Sequence, residues 1–429
     1  MNSKTPIMAF ALFSSSLLYG VEMSALLKYQ GSFNYLESDW QKQELQLDVE
    51  FNEALGEGDL TAITRLVVDG REQLNSNRNP SSYSSIHGPR YTHEHGMAEV
   101  RELYWEYSGD FFWKIGKQQV VWGEADGLKL LDVVNPQSYR EFILDDFEDS
   151  RIPLWMIKAE MQILTESELQ LLWIPDATTH DLAHQNSPYA LRSPLLVPVS
   201  SGENQVTVRE PQTPGKILQD SDVGLRFSTF LNGWDITFNY LYHYIDTPVL
   251  RSRVSGDAII VDSDYERSHL IGGSASSVME DWTLRAEVAY ETNRYYRTID
   301  PLPGVTESDQ LGFVIGLDYQ GWSDQFVSFQ WFQTHILDPS KDLYSASIED
   351  VISLLWDVSF MNETLNFRVM HLYSLDHHDG LLRPKVTYNL LSNLDLVLSM
   401  DRFFGNSEGI FGQFDQADRI SFGFELGLD

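Results

Sequence analysis

Apolar and polar residues alternate one by one through most of this chain, in long segments. Near the C-terminus Ile420, Phe422 and Phe424 alternate with charged or small residues, and Leu396 and Leu398 do so with polar ones. Successive side chains of a strand point to opposite faces, so each segment has one apolar and one polar face. The segments run about 10–13 residues, enough to cross a bilayer at a tilt and longer than most strands of soluble proteins.

The connections between these segments are short and long in turn. Short turns such as 56–58, 231–233 and 392–393 alternate with longer polar loops. The longer loops are roughly 71–96, 123–151, 175–219, 246–263, 297–307, 337–345 and 405–415. Outer-membrane barrels have tight periplasmic turns and long outer loops. The sequence therefore predicts an all-β protein, a transmembrane antiparallel β-barrel of about 16–18 strands with residues 175–219 as a long outer loop. A soluble β-sandwich or solenoid is the alternative, but no fixed repeat is visible.

The N-terminus predicts export. Lys4 precedes an apolar stretch at residues 6–18, which has the length of the hydrophobic region of a secretory signal. The stretch is shorter than the roughly 20 residues that a spanning helix needs. We expect residues 1–25 to be a signal peptide, cleaved between 20 and 25, and residues 26–429 to form a single barrel in the bacterial outer membrane, surrounded by its lipid.

Composition excludes several classes of protein. With 63 Asp and Glu against 30 Lys and Arg, the formal net charge is −33, whereas nucleic-acid binding requires a basic face. The 11 Trp, 20 Tyr and 23 Phe are too many for a disordered acidic tail, and they suit a lipid-facing wall. Because the chain has no cysteine, disulfides and thiolate metal sites are excluded. No metal or other cofactor is predicted.

Residues 123–151, after the fifth predicted strand, are too rich in features for a plain outer loop. Apolar residues at 128–134 precede Asn135-Pro136, after which a short helix is predicted at 137–143. A long connection with its own apolar residues is usually an ordered, functional loop, and we expect this one to fold into the lumen and constrict it. The predicted selectivity residues are Glu124, Asp126, Asp132, Arg140, Asp145, Asp146, Glu148, Asp149 and Arg151.

The same stretch resembles the signature of a known family. The resemblance rests on WGEADG at 122–127, DVVNP at 132–136, REF at 140–142, RIPLWM at 151–156 and the closing GQFD at 412–415. These runs are similar to the Gram-negative outer-membrane family catalogued as domain of unknown function 1302. The resemblance implies an outer-membrane barrel of a kind often associated with resistance–nodulation–division export systems for hydrophobic compounds. It implies no particular substrate.

The acids of 123–151 have two interpretations. They could bind a divalent cation, but the run lacks the glycine and carbonyl spacing of a calcium loop. We favour ion pairs that pin the loop to the barrel wall, because the arginine fork binds carboxylates with two hydrogen bonds. The expected wall partners are Arg101, Arg226, Arg285 and Arg368. Crowded carboxylates would also have raised pKa values, which predicts pH-dependent conductance.

These features predict a porin-like channel for a small, hydrophobic or amphipathic solute, with an inner-membrane export pump as a candidate partner. An acidic lumen would favour cations or neutral solutes. No catalytic residue is predicted. Two alternatives stay open: a structural or adhesive barrel with a closed lumen, and a lipid hydrolase that uses Ser374 with His371 or Ser268 with His269. Neither serine lies in a Gly-x-Ser-x-Gly motif.

Overall fold

The computed structural model describes residues 21–71, 82–93, 95–198, 206–209, 211, 213–255 and 258–428. The predicted signal peptide lies outside these residues, apart from its last five positions. Of those five, residues 22–25 already belong to the first strand. The signal peptide and its cleavage site therefore stay predictions.

Eighteen strands form one closed antiparallel barrel. They are β1 Glu22–Asn34, β2 Asp39–Leu55, β3 Gly58–Asp69, β4 Gly96–Ser108, β5 Phe112–Gln118, β6 Leu154–Leu164, β7 Ser167–Ile174, β8 Asp222–Leu231, β9 Trp234–Tyr244, β10 Arg267–Met279, β11 Trp282–Arg297, β12 Val305–Tyr319, β13 Gln325–Ile336, β14 Ile348–Phe360, β15 Leu365–Ser374, β16 Asp379–Leu391, β17 Leu394–Gly405 and β18 Arg419–Leu428. Each strand pairs with the next, and β18 pairs with β1 from Ala25–Leu428 to Phe33–Ile420. The predicted barrel is confirmed, with 18 strands.

Short elements lie outside the sheet of the barrel. The strand Arg90–His93 pairs with the start of β4. Ser138–Tyr139 pairs with Asp181–Leu182, and Val206–Val208, Val249–Ser255 and Ala258–Asp264 form a small separate sheet. The helical elements among the described residues include α1, Phe147–Ser150, and a 3₁₀ helix, Gly412–Ala417. Among the described residues, no helix is long and apolar enough to cross a membrane.

The two faces of the strands differ as the alternation predicts. On β17, Leu396 and Leu398 are exposed on the outside, whereas Ser399 and Asp401 point into the lumen. The same outward exposure of large apolar side chains recurs around the barrel, which is the arrangement that contact with lipid favours. Closure of the barrel matters because the backbone N–H and C=O groups of an unpaired sheet edge would find no hydrogen-bond partner in hydrocarbon.

Loop lengths are strongly asymmetric. At one end the strands are joined by turns such as 56–57, 232–233 and 392–393, while the loops at the other end reach the length of 175–221. Both chain ends of the barrel lie at the end with the short turns. By the usual arrangement of outer-membrane barrels, that end faces the periplasm.

The predicted helix at 137–143 is wrong. The backbone of this stretch is engaged elsewhere, since the Gln137 N–H donates to His180 Nδ1 at 2.9 Å and Ser138–Tyr139 forms a strand pair. Phe142 has a φ of 55°, which ends any right-handed helix. The short helix of this region is α1, four residues further along the chain.

We expect an arginine at Leu398 to destabilise the barrel and an arginine at the neighbouring Val397 to be tolerated. Leu398 is 54% exposed on the outer face, whereas Val397 lines a lumenal cavity. An arginine that faces the bilayer midplane costs about 2–4 kcal/mol, while lumenal substitutions mainly tune selectivity. Urea unfolding in lipid vesicles measures the difference, and equal losses for the two variants would contradict this assignment of the faces.

Candidate functional site

Residues 119–153 leave the wall after β5, run through the lumen and return at β6; they are called the inward segment below. Its first half packs on the arc of wall from β6 to β11. Trp122, Leu131 and Val134 are buried there against inward-facing Leu241 and Leu270. The Trp122 indole N–H also donates to Gln170 Oε1 at 2.7 Å. The first half is therefore held by a core that lies inside the barrel.

The second half packs on the arc from β15 to β17. Phe142 and Leu144 are buried there against Leu372, Leu381 and Phe403. Phe411 and Phe414 of the loop between β17 and β18 complete this second core. Because the two arcs lie on different sides of an 18-stranded barrel, the inward segment crosses the lumen.

Two wall glycines make room for the inward segment. A Cβ on Gly272 would lie 2.5 Å from the side chain of Leu131, and one on Gly312 would lie 2.6 Å from that of Leu130. At these distances a larger residue would force the leucine side chains of the segment to shift. These glycines belong to the site although the sequence alone gave no sign of it.

Glu141 is the most heavily paired anchor of the inward segment. Its carboxylate is fully buried and bonded to Lys42 Nζ at 2.6 Å, Arg419 Nη1 at 2.5 Å and Arg140 Nη2 at 3.2 Å. Arg419 also contacts Asp401 at 2.9 Å, so the network reaches three strands of the wall. Burial alone would raise the pKa of Glu141, but these cations hold that pKa below its ordinary value.

Asp149 forms a second anchor near the end of the inward segment. Its two oxygens lie 2.9 Å from Lys28 Nζ and 2.6 Å from Arg65 Nη2. Arg101 donates from Nη2 to the backbone carbonyls of Glu148, Asp149 and Arg151 at 2.7–3.0 Å. The segment is thus fastened to β1, β3 and β4 through both its side chains and its backbone.

A third anchor lies at the beginning of the inward segment. Arg285 Nη2 is 2.6 Å from Asp126 Oδ2, and the Arg285 side chain also donates to the Glu124 carbonyl. Glu287 accepts hydrogen bonds from backbone N–H groups of the segment, including that of Leu131 at 3.2 Å. Within the segment, Arg151 Nη2 lies 2.7 Å from Asp132 Oδ2.

The structure separates the nine predicted residues into two groups. Asp126, Asp132, Arg140, Asp149 and Arg151 form ion pairs that hold the inward segment. The other four, all acidic, form no ion pair with a described residue: Glu124, Asp145, Asp146 and Glu148. Their role in selectivity stays a prediction.

The prediction that wall arginines pair with acids of the inward segment is right for Arg285 and wrong for the other three. Arg101 donates to backbone carbonyls of the segment, and Arg368 pairs with Asp357 of the neighbouring strand at 2.7 Å. Arg226 donates to the Val121 carbonyl, not to an acid. Sequence reasoning missed Lys28, Lys42, Arg65, Arg383 and Arg419. Each of the five occupies an inward-facing position of a strand. In the sequence, only the alternation that assigns this position could have indicated a role in binding the inward segment.

Cavities surround the inward segment. An outer cavity lies among the long loops and includes Leu195, Ile245 and Tyr295 in its lining. Through Glu349 and Ile410 it adjoins an apolar chamber beside the segment. The chamber lining includes Leu128, Leu130, Tyr139, Phe142, Phe147, Phe332 and Val351.

Two charged cavities lie on the other side of Asp145. One is lined by β1–β4 and the other by β1 and β15–β18, and both share Lys28, Asp145 and Asp149. Asp145 lines the apolar chamber as well, so three cavities meet at this side chain. Burial, followed by the charge of Glu141, raises the pKa of Asp145 to about 6.

The candidate hydrolase pairs do not form dyads. Ser374 is buried and faces inward, while His371 stacks beside Tyr373 on the opposite face of β15. Ser268 is likewise buried inside, and His269 contacts Tyr240 on the outer face. Serine and histidine therefore lie on opposite sides of the wall in both pairs. Among the described residues, no group of three or more His, Asp or Glu is arranged to hold a metal ion.

The chain is similar to known proteins in family and in fold. The model of the family described as Protein of unknown function (DUF1302) matches residues 25–425. Among curated proteins, no sequence matches the chain. The fold is similar to that of Pseudomonas aeruginosa OccK2 (OpdF), solved in complex with glucuronate, with a TM-score of 0.53 and 10% sequence identity over 95% of this chain and 96% of that one.

A second solved structure is similar to the same extent. For the outer membrane protein opdK from Pseudomonas aeruginosa the TM-score is 0.51 and the identity 11%, over 95% of this chain and 98% of that one. At identities this low, the likeness concerns the fold. A closed barrel of this size, with an apolar exterior, is located in the bacterial outer membrane.

We expect Glu141→Gln to destabilise the protein much more than Glu148→Gln. Removing one partner of a buried ion network leaves uncompensated charge and costs about 3–5 kcal/mol. Glu148 belongs to the same segment but is exposed, so its substitution should change the unfolding free energy by less than about 0.5 kcal/mol. Urea unfolding in vesicles compares the two variants. If Glu141→Gln proves as stable as the control, Glu141 does not anchor the inward segment.

Proposed function

This chain belongs to the DUF1302 family, and we propose that it is a porin-like channel that admits small amphipathic solutes past the inward segment. The observation that carries the proposal is the contiguous series of cavities in the lumen. The outer cavity adjoins the apolar chamber, and the chamber meets both charged cavities at Asp145. These cavities lie beside the segment on both sides of Asp145, which supports a constriction over a closed lumen.

The change of lining from cavity to cavity supports an amphipathic solute. A solute first meets the apolar side chains of the chamber, including Phe142, Phe147 and Phe332. Beyond Asp145 it meets cavities in which cations such as Lys28 and Arg383 face acids such as Asp149 and Asp401. Pores select by lining and width without catalysis. An apolar body with one polar or charged end can interact with both regions.

The similar barrels support a small solute without identifying it. OccK2 was solved in complex with glucuronate, a small polar molecule, which is a property of that protein. An inner-membrane export pump stays a prediction of the family resemblance, since no described residue indicates it. The identity of the neighbouring genes tests that prediction.

Filling the apolar chamber should reduce conductance. Val351 lines the chamber, whereas the next residue, Ile352, points to the opposite face of β14. We expect Val351→Trp to at least halve the single-channel conductance in planar bilayers and Ile352→Trp to leave it unchanged. A wild-type protein that shows no ion steps would contradict the channel, and unchanged conductance in Val351→Trp would mean that solutes bypass the chamber.

We also expect cation preference to depend on pH. The charged groups that face Asp145 are Lys28 of β1, Lys42 and Glu44 of β2, Arg383 of β16, Arg419 of β18, and Arg140, Glu141 and Asp149 of the inward segment. Because the pKa of Asp145 is raised to about 6, this carboxyl loses its proton as the pH rises through that value and adds a negative charge to the passage.

Reversal potentials in a salt gradient measure this effect. The preference for cations should increase between pH 5 and pH 8 in the wild type, and Asp145→Asn should remove most of the increase. The neighbouring Asp146→Asn serves as control, since Asp146 is exposed and lines only one of the three cavities. Identical selectivity at both pH values would contradict the role of Asp145.

A further inference from the structure

We propose that Asp145 binds the positively charged head of an amphipathic organic cation while the apolar body of that cation lies in the chamber beside the inward segment. This inference rests on the proposed function, because it names the class of solute that the channel takes. It follows from the shape and lining of the chamber, from the pairing of its charged groups and from the position of Asp145 at its exit.

The chamber has the size and lining of a site for a small organic molecule. Its cavity volume is about 290 Å³. Small-molecule sites are typically concave, mostly apolar, and provided with few polar groups that fix orientation. Apolar side chains from both the inward segment and the wall line this chamber, so a hydrocarbon or aromatic body would be enclosed on two sides.

The other charged groups of the chamber are already paired. Lys129 Nζ lies 3.3 Å from Asp132 Oδ2 and donates to Gln137 Oε1 at 2.6 Å. Glu349 Oε1 lies 3.1 Å from His377 Nε2. Asp145 is different, since it forms neither an ion pair nor a side-chain hydrogen bond with any residue that the structure describes. It is therefore the carboxylate of this chamber that remains available to a ligand.

The charges around Asp145 favour a cation over an anion. Lys42 and Arg140 attract this carboxylate, while Glu141 and Glu44 repel it, so the contributions of the neighbours oppose one another. The carboxylate itself then adds one negative charge at the exit of the chamber. An anion would instead have to displace Asp132 from Lys129, whose ammonium also lies 4.5 Å from the ring centre of Phe147.

The aromatic side chains add to this preference. Phe142, Phe147 and Phe332 line the chamber, and the face of an aromatic ring attracts cations. Beyond Asp145, one charged cavity also contains Glu425, which can receive the head next. Binding at Asp145 is thus followed by a group of the same sign of charge, which allows the cation to leave.

Three small probes test the inference. 4-Phenylbutylammonium has the proposed chemistry, 4-phenylbutyrate has a similar body with the opposite charge, and butylammonium lacks the ring. Titration calorimetry at pH 8 measures their binding to the full-length barrel in detergent, and block of ionic current measures it in bilayers. We expect the first probe to bind at least about tenfold more tightly than the other two, as one ion pair plus one buried ring would provide.

Matched variants assign the binding to Asp145. Asp145→Asn should weaken the binding of 4-phenylbutylammonium by at least about tenfold, and Asp145→Glu should retain it. Asp146→Asn removes the same charge one residue away and should change the affinity less than twofold. Because Asp145 has no partner among the described residues, its variants should fold, and urea unfolding verifies this.

Each outcome decides between the two proposals. Equal affinity for the cation and the anion, or an unchanged affinity in Asp145→Asn, would overturn this inference even if the barrel conducts ions. A barrel without ion steps that nevertheless binds the cation through Asp145 would overturn the channel and leave the binding site in place.

Discussion

Everything in this protein depends on the requirement that backbone groups inside a lipid bilayer pair with one another. The sheet meets it by closing β18 onto β1, which leaves no edge exposed to hydrocarbon. Closure sends alternate side chains outward into lipid and inward into the lumen. An 18-stranded wall encloses more space than its own side chains fill, which leaves room for a second piece of structure in the interior.

That second piece is held by apolar packing and by charge. The two cores around Leu131 and Phe142 fix where the inward segment touches the wall, and the Glu141 network fixes its orientation. A buried carboxylate is tolerated here because three cations surround it. The same arrangement leaves Asp145 outside the ion pairs, at the junction of the cavities. Within one short stretch, Glu141 thus anchors the inward segment, while the proposed role in selecting solutes belongs to Asp145.

Particular residues show how far sequence reasoning reaches. The alternation around Leu398 and Phe422 correctly assigned strand faces, and the predicted difference in loop length between the two ends of the barrel is confirmed. The helix predicted at 137–143 failed because that backbone pairs with Asp181–Leu182, which lies about 40 residues later and gives no local signal. Arg368 failed as a partner because it pairs with Asp357 on the adjacent strand.

The sequence by itself determined the barrel, the difference in loop length between its two ends, and the special character of the stretch that enters the lumen. These features follow from composition and from the alternation of apolar and polar residues, which depends only on residues that are close together in the chain. Only the tertiary structure decided which acids are anchors and which remain available. The Glu141–Arg419 pair joins residues 278 positions apart, and the Lys28–Asp149 pair joins residues 121 apart. Alternation fixes the face on which a side chain lies, but packing across the lumen fixes which charge it meets.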